Sequence, residues 1–165
     1  MFSYDMFDTG MRWRYRAKIT QTQAVSEVTG VRIKSAAGDR LLLDTVVMIL
    51  GTVSAGRTAF GDLRDVSDDI PIEQLIYRTS VTSGQIVRSL KSIQSNAGTT
   101  TVDTIGKIND NIIISGDDSI RVGISDLAQD ETVDIVLSGW VEHTVPTVSA
   151  LGANQTTAES YNKTV

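Results

Sequence analysis

The chain has 165 residues, a formal net charge of −5 and no cysteine. The lack of cysteine excludes a disulfide framework and a thiolate metal site. The acidic balance argues against general affinity for nucleic acid, because such affinity requires a cationic surface. A chain of this length is expected to form one domain with a core of its own.

Residues 1–10 are predicted to form an N-terminal arm, since the segment is too short and too mixed for its own core. Two interpretations stay open: a disordered terminus, or an arm whose aromatic side chains Phe2, Tyr4 and Phe7 dock on a neighbouring subunit. The segment lacks the basic region and apolar core of a signal peptide. No apolar run in the chain approaches the roughly 20 residues of a membrane span. We therefore expect a protein made in the cytoplasm, without export and without a membrane partner.

Residues 11–20, MRWRYRAKIT, give the clearest periodic signal in the chain. A strand directs successive side chains to opposite faces, so this alternation predicts a strand with one apolar and one cationic face. The apolar side holds Met11, Trp13, Tyr15, Ala17 and Ile19, and the cationic side holds Arg12, Arg14, Arg16 and Lys18. The cationic side is interpreted either as a solvated face or as one that pairs across a subunit boundary. In the second case its partners are carboxylates such as Asp65, Asp68 or Asp69. Contact with nucleic acid is the third interpretation, and it is disfavoured because nothing else nearby is basic.

A second strand is predicted around residues 28–33, and a third over the almost continuously apolar run 40–50. A short apolar run without helix caps favours a strand that is buried on both faces. Asp44 interrupts this run, and a carboxylate there is expensive unless it is paired or lies at a bulge. The predicted partner is an arginine such as Arg40 or Arg57.

Strands are also predicted over residues 57–64 and 74–81, and the segment that follows them is ambiguous. The spacing of Ile86, Leu90 and Ile93 fits a short helix near 84–95, with Ser83 as its N-cap. Gly84 weakens the first turn of such a helix, so a strand remains the competing interpretation.

The last third of the chain is more regular, with strands predicted around residues 120–124 and over 132–144. In the second of these, Trp140 faces outward together with Val136, which indicates a contact surface. Residues 146–165 show no sustained period and are predicted to form a C-terminal tail, extended or disordered. The pattern as a whole predicts an all-β sandwich or jelly roll of eight or nine strands over residues 11–145, with extended arms at both ends.

The sequence contains few side chains at the spacings that catalytic or metal sites require. Its single histidine, His143, has no cysteine partner and no serine–aspartate set at a recognisable spacing, so a triad or a zinc site is unsupported. The sequence therefore predicts no catalytic residue, no metal ligand and no cofactor, and the chain is not expected to be an enzyme.

Three features together resemble the small virion structural proteins of tailed bacteriophages. They are the strand with Trp13-Arg14-Tyr15, the turn-and-strand stretch from Ile114 to Glu142, and the low-complexity tail. The stretch contains a D-x-I-x-V-like segment, a spacer and a final strand that ends near G-W-x-E. The resemblance extends loosely over about two-thirds of the chain and rests on hydrophobic patterns.

The resemblance implies a capsid decoration, or cement, protein, or else a collar or head–tail protein. A decoration protein binds the major capsid protein where capsomers meet, on the outer surface of the virion, most often as a homotrimer. The candidate assembly-interface residues are Phe2, Tyr4, Phe7, Arg12, Trp13, Arg14, Arg16, Lys18 and Trp140. The alternative is a carbohydrate- or receptor-binding module associated with a collar or tail, which would require an aromatic-lined concave site.

Overall fold

The computed structural model describes residues 10–54, 56–65, 70–88, 112–116 and 118–164. In these ranges the chain forms two antiparallel sheets, which confirms the predicted all-β sandwich. The strands are β1 (Met11–Gln21), β2 (Val28–Lys34), β3 (Arg40–Leu50), β4 (Arg57–Asp65), β5 (Ile70–Val81), β6 (Ile86–Arg88), β7 (Ile112–Ser115), β8 (Asp118–Ser125), β9 (Thr132–Val141), β10 (Thr147–Ala150) and β11 (Gln155–Thr164). Their number is larger than the predicted eight or nine. Nowhere in the described ranges is there a helix with the length and apolar character needed to cross a membrane.

The two sheets have matching strand orders. Sheet A runs β11-β1-β9-β3-β6, with β7 also paired to β3, and sheet B runs β10-β2-β8-β4-β5. Most connections cross from one sheet to the other, so neighbours along the chain lie in opposite layers. As a result β1, β9 and β3 form the centre of sheet A although they are far apart in sequence.

The core lies between the sheets and is built by alternation along each central strand. On β1, Trp13, Tyr15, Ala17 and Ile19 are all 0% exposed, as their spacing predicted. The inward residues of β8 and β9 are equally buried, and they include Ile120, Val122, Ile124, Val133, Ile135 and Leu137. Each such aliphatic side chain contributes roughly 1.5–3 kcal/mol to folding. These contacts fix which face of each strand points outward.

The prediction that β3 is buried on both faces is correct only for its first half. Leu41, Leu42 and Leu43 are consecutive buried residues, but from residue 45 onward buried and partly exposed positions alternate. The register between β3 and β9 shifts between Leu43 and Thr45, so Asp44 occupies a bulge. The apolar run continues past the bulge because Val47 and Ile49 lie on the outer face of sheet A, where no described element covers them.

Gly139 has a geometric role where β9 passes the bulge of β3. It is paired with Trp13 on one side and Leu43 on the other. A Cβ atom at this position would lie 2.1 Å from the carbonyl oxygen of Leu42. The close approach of two backbones therefore excludes any side chain here.

The C-terminal segment corrects the sequence prediction, because it is part of the sandwich rather than a tail. β10 pairs with β2, and β11 pairs with β1 as an edge strand of sheet A. Residues 156–160 are exposed, so β11 joins the sheet through backbone hydrogen bonds rather than by burying apolar side chains. A strand held in this way leaves no hydrophobic period in the sequence, which explains why composition alone indicated a tail.

The helix considered near residues 84–95 is wrong where the structure describes it, because Ile86–Arg88 forms β6. Gly84 adopts a φ of +80° in the turn that enters this strand. The Ser83 hydroxyl accepts a hydrogen bond from the Val53 amide at 2.8 Å, so it tethers another loop instead of capping a helix. Residues 89–95 lie outside the described residues, as do residues 1–9 of the predicted N-terminal arm.

Candidate functional site: the outer face of sheet A

The outer face of sheet A carries the cationic side of β1. Arg14, Arg16 and Lys18 are exposed and Arg12 is partly exposed, in alternation with the core residues of the same strand. The register places Arg14 beside Ser138, Arg16 beside Val136, and Lys18 beside Asp134 on β9. The predicted cationic face is therefore present, and it lies directly against the outer residues of β9.

Two of these four basic residues form ion pairs with carboxylates of the same sheet. Arg12 lies 2.5 Å from Asp44, with about one-quarter of its side chain exposed, and Arg16 lies 3.2 Å from Asp134 in a more exposed position. Arg14 and Lys18 form no ion pair with any described residue. The face thus keeps uncompensated positive charge even though the chain as a whole is acidic.

Asp44 is the charged centre of this face, and its partner was not the one predicted. It accepts hydrogen bonds from Arg12 at 2.5 Å and from Ser138 and Thr45, each at 3.0 Å. Burial on its own would raise the pKa of Asp44, but these hydrogen bonds and the Arg12 charge outweigh burial and hold the pKa below its ordinary value. The carboxylate therefore stays ionised and anchors Arg12 across the intervening strand β9.

The two arginines proposed as partners of Asp44 pair elsewhere. Arg40 forms an ion pair with Glu142, and Arg57 lies 3.3 Å from Glu131. Both pairs lie at the ends of strands, where they tie loops to the sandwich. The prediction that Asp44 must be paired or lie at a bulge is confirmed on both counts.

Trp140 lies at one end of an apolar strip on the same face. Its side chain is 37% exposed, and the guanidinium carbon of Arg12 lies 5.5 Å from the centre of the indole ring. Val136 pairs with Val47, and Ile49 pairs with Ile86, which is 42% exposed. On the outer face of β9, Ser138 lies between Trp140 and Val136, and from Val136 the apolar strip continues through β3 to β6, beside the cationic side of β1.

The remaining predicted interface residues do not belong to this face. Trp13 is 0% exposed in the core, so its side chain offers no surface to a partner. Phe2, Tyr4 and Phe7 lie outside the described residues, as do Asp68 and Asp69, while Asp65 ends β4 in a partly buried position. Sequence reasoning missed Val47, Ile49 and Ile86, because only the strand register shows that they share a face with Trp140.

A second cluster of polar side chains surrounds the loop that follows β9. The ligand atoms of Asp39, Glu142 and His143 all lie within 4.8 Å of one another. Asp39 accepts hydrogen bonds from the backbone amides of His143 at 3.1 Å and Thr144 at 2.7 Å, and its other oxygen lies 3.2 Å from His143 Nδ1.

The hydrogen bonds of this cluster attach the loop that follows β9 to Asp39. Burial raises the pKa of Asp39, but the amide donors lower it by more, so the carboxylate is ionised and fully engaged. Glu142 is engaged by Arg40. A cation bound here would have to displace these hydrogen-bond donors and would be repelled by the adjacent guanidinium of Arg40. The cluster is therefore interpreted as stabilising the loop rather than as a metal centre.

Comparisons of the chain with protein-family models, with curated proteins and with solved structures found no match.

Proposed function

We propose that this protein is a non-enzymatic assembly protein that binds other protein chains through the outer face of sheet A. The observation that carries the proposal is the combination of Arg14 and Lys18, which form no ion pair with any described residue, with the adjacent apolar strip that begins at Trp140. Apolar area supplies affinity in such contacts, while uncompensated charge selects an acidic partner and orients it.

The size and shape of the face are compatible with this role. Strand spacing and residue rise give the outer face of sheet A an area on the order of 600 Å². A specific protein–protein interface buries about 800 Å² on each partner. Most of one side of such an interface is therefore available on one face of a single sheet, and arginine and tryptophan are typical anchors of such interfaces.

The specific form we propose is a capsid decoration protein of the tailed-bacteriophage type, located on the outer surface of the virion. Its support is the resemblance carried by Trp13-Arg14-Tyr15 and by the stretch from Ile114 to Glu142. The partners in this proposal are an acidic surface of the major capsid protein and further copies of the chain, most simply as a homotrimer. The protein would act mechanically, by adding buried area and ion pairs where capsomers meet.

A carbohydrate- or receptor-binding module is the second candidate, and the exposure of Trp140 beside Asp44 and Ser138 favours it. Aromatic rings with adjacent polar groups are typical of sugar sites. However, Arg12 already lies over the indole ring of Trp140. Binding of the purified protein to a glycan array, lost in the Trp140→Ala variant, would support this candidate over assembly.

The assembly proposal is tested by light scattering on the purified chain as a function of protein concentration. We expect the wild-type chain to self-associate and the Arg14→Glu variant to associate more weakly. The matched control is Lys34→Glu, which reverses one partly exposed charge on β2 in sheet B and should leave association unchanged. Equal oligomer size in all three proteins would contradict the proposal.

A further inference from the structure

We propose that the outer face of sheet A binds an acidic amphipathic helix of a partner protein, which lies along the strands between β1 and β6. The inference rests on the proposed function in one respect, namely that this face binds another protein chain. It goes further because it names the secondary structure, the width and the charge pattern of the bound segment.

Basic residues border the apolar strip on both sides. Val136 on β9 and Val47 on β3 are directly opposite each other in the register of sheet A. Their outer neighbours in the same row are Arg16 on β1 and Arg88 on β6. Arg88 is exposed and forms no ion pair with any described residue. The apolar strip is therefore bounded by cationic side chains at β1 and again at β6.

The charge of this face requires carboxylates from outside the sheet. Among the described residues of the face, the carboxylates are Asp44 and Asp134, and each already forms an ion pair with an arginine of β1. Arg14, Lys18 and Arg88 form no ion pair with any described residue. A partner with carboxylates on both flanks of an apolar surface is therefore complementary to the face, and such complementarity fixes the orientation of the partner.

The apolar residues between the two borders form a floor on which another apolar surface can rest. Val136, Val47 and Ile49 are partly exposed, and Ile86 at the β6 end is 42% exposed. All four side chains are β-branched, so their rotamers are restricted and little conformational entropy is lost when a partner covers them. The floor therefore favours a partner that presents a continuous apolar stripe.

The separation of the two cationic borders matches the width of a helix. Three strand spacings of about 4.8 Å separate β1 from β6, which gives about 14 Å. A helix with its side chains is about 10–12 Å across, so carboxylates on its two flanks reach both borders. An extended strand projects the side chains of one face along a single line, and it would reach only one border at a time.

The length of the face sets the length of the bound helix. From Asp134 to Trp140 along β9 the distance is about 20 Å at 3.3 Å per residue, which corresponds to about 13 helical residues. Apolar side chains at positions i, i+3, i+4 and i+7 of such a helix would contact the strip, as in other helix-binding surfaces. The described ranges of this chain contain no helix, so the proposal assigns the helix to a partner protein.

An anionic membrane surface also combines negative charge with apolar groups, but this chain is less suited to it. The formal net charge of −5 opposes the approach of the whole molecule to an anionic bilayer. Insertion into a bilayer requires apolar side chains that project into the acyl region. Val47 and Ile49 are only partly exposed and lie level with the sheet. The observations therefore favour a protein helix.

The test is isothermal titration calorimetry of the full chain with a synthetic helix-forming peptide of about 13 residues. The peptide carries leucine along one face and glutamate on both flanks of that face. A second peptide has lysine in place of each glutamate. We expect the glutamate peptide to bind and the lysine peptide not to bind, because only the first is complementary to the cationic borders.

Three charge-reversal variants test whether the bound helix spans the strip. Arg14→Glu and Arg88→Glu should each weaken binding of the glutamate peptide about fivefold, since an exposed attraction is replaced by a repulsion. The matched control is Lys34→Glu on sheet B, which should bind the peptide as the wild type does. Arg88 is the decisive position, because an occupant that contacts only the β1 side of the face would not respond to its reversal.

Four results would overturn the inference. They are the absence of binding by the glutamate peptide, equal binding of the lysine peptide, and unchanged binding of the glutamate peptide by Arg88→Glu. The fourth is sedimentation of the chain with vesicles of phosphatidylglycerol and phosphatidylcholine while neither peptide binds, which would assign the face to a membrane surface.

The proposed function is tested separately, because it is read from light scattering on the chain alone. If Arg14→Glu weakens self-association while the glutamate peptide does not bind, the assembly role stands and helix recognition is refuted. If the peptide binds as expected and Arg14→Glu self-associates like the wild type, self-assembly through this face is refuted and the helix site stands.

Discussion

The ion pair between Arg12 and Asp44 should be energetically coupled across strand β9, and the coupling can be measured with a double-mutant cycle. Hydrogen bonds to charged groups contribute about 1.5–3 kcal/mol. Arg12 and Asp44 are 25% and 17% exposed, so partial solvation places the expected value near the lower end. We expect Asp44→Ala to lower the free energy of unfolding by about 2 kcal/mol and the coupling energy to be about 1–2 kcal/mol.

The assay is equilibrium unfolding in urea for the wild type, Arg12→Ala, Asp44→Ala and the double variant. The matched control is the cycle for Arg16 and Asp134 on the same face, whose side chains are 45% and 25% exposed. An exposed pair of this kind should show a coupling of only about 0.2–1 kcal/mol. Equal coupling in the two cycles, or additive single effects at Arg12 and Asp44, would refute the view that Asp44 anchors Arg12.

Two further predictions concern stability. Gly139→Ala should lower the melting temperature strongly in thermal unfolding, because the added methyl group would meet the Leu42 carbonyl oxygen. The control is Gly38→Ala, at a φ of +76° with open space around it, which should lower the free energy of unfolding by only about 1 kcal/mol. An equal loss of stability in both variants would contradict the reasoning. Burial would raise the pKa of Glu131, but hydrogen bonds to its carboxylate hold the pKa below its ordinary value of 4.5. The pKa values of Asp39 and Asp44 are held below their ordinary value of 3.8 in the same way. Stability from these groups is present above the pKa values of the unfolded chain and is lost as pH falls through the lower folded values. The urea midpoint should therefore fall progressively below about pH 4.5, and a midpoint that is constant down to pH 3 would contradict the assignment.

The sequence predicts the central strands well because their side chains are sorted by burial. The alternation in β1 follows directly from contact with the core, and so do the inward residues of β9. By contrast, β11 is held by backbone pairing to β1, and its exposed side chains carry no hydrophobic period. An edge strand of this kind is recognisable only when the strand beside it is known.

The ion pair of Asp44 is a second feature that the sequence alone does not predict. Arg12 and Asp44 lie on strands that are not neighbours, because β9 is inserted between β1 and β3. Their contact depends on the strand order of sheet A and on the bulge that displaces Asp44. The sequence shows neither of these, so the predicted partners were Arg40 or Arg57, which pair with Glu142 and Glu131 instead.

The two outer faces differ in how far their charged and aromatic groups contact one another. On sheet B, Asp62 accepts two hydrogen bonds from Arg121, at 3.0 Å and 2.8 Å, and a third from Arg64 at 3.2 Å. The guanidinium of Arg121 also lies 5.2 Å from the ring of Phe60, so that aromatic side chain is only 8% exposed. The charged and aromatic groups in the middle of sheet B thus satisfy one another within the sheet.

The same residue types are arranged differently on sheet A. Asp44 engages Arg12, but Arg14 and Lys18 form no ion pair with any described residue, and Trp140 keeps more than a third of its surface exposed. Among the described residues, basic side chains without an ion pair lie beside exposed apolar area on sheet A, whereas on sheet B the exposed Tyr77 is paired with Phe60 next to the ion pair of Arg121 and Asp62. A protein that has to adhere to another chain needs one such face, and a second one would promote uncontrolled association. The asymmetry between the sheets is therefore what an assembly role requires.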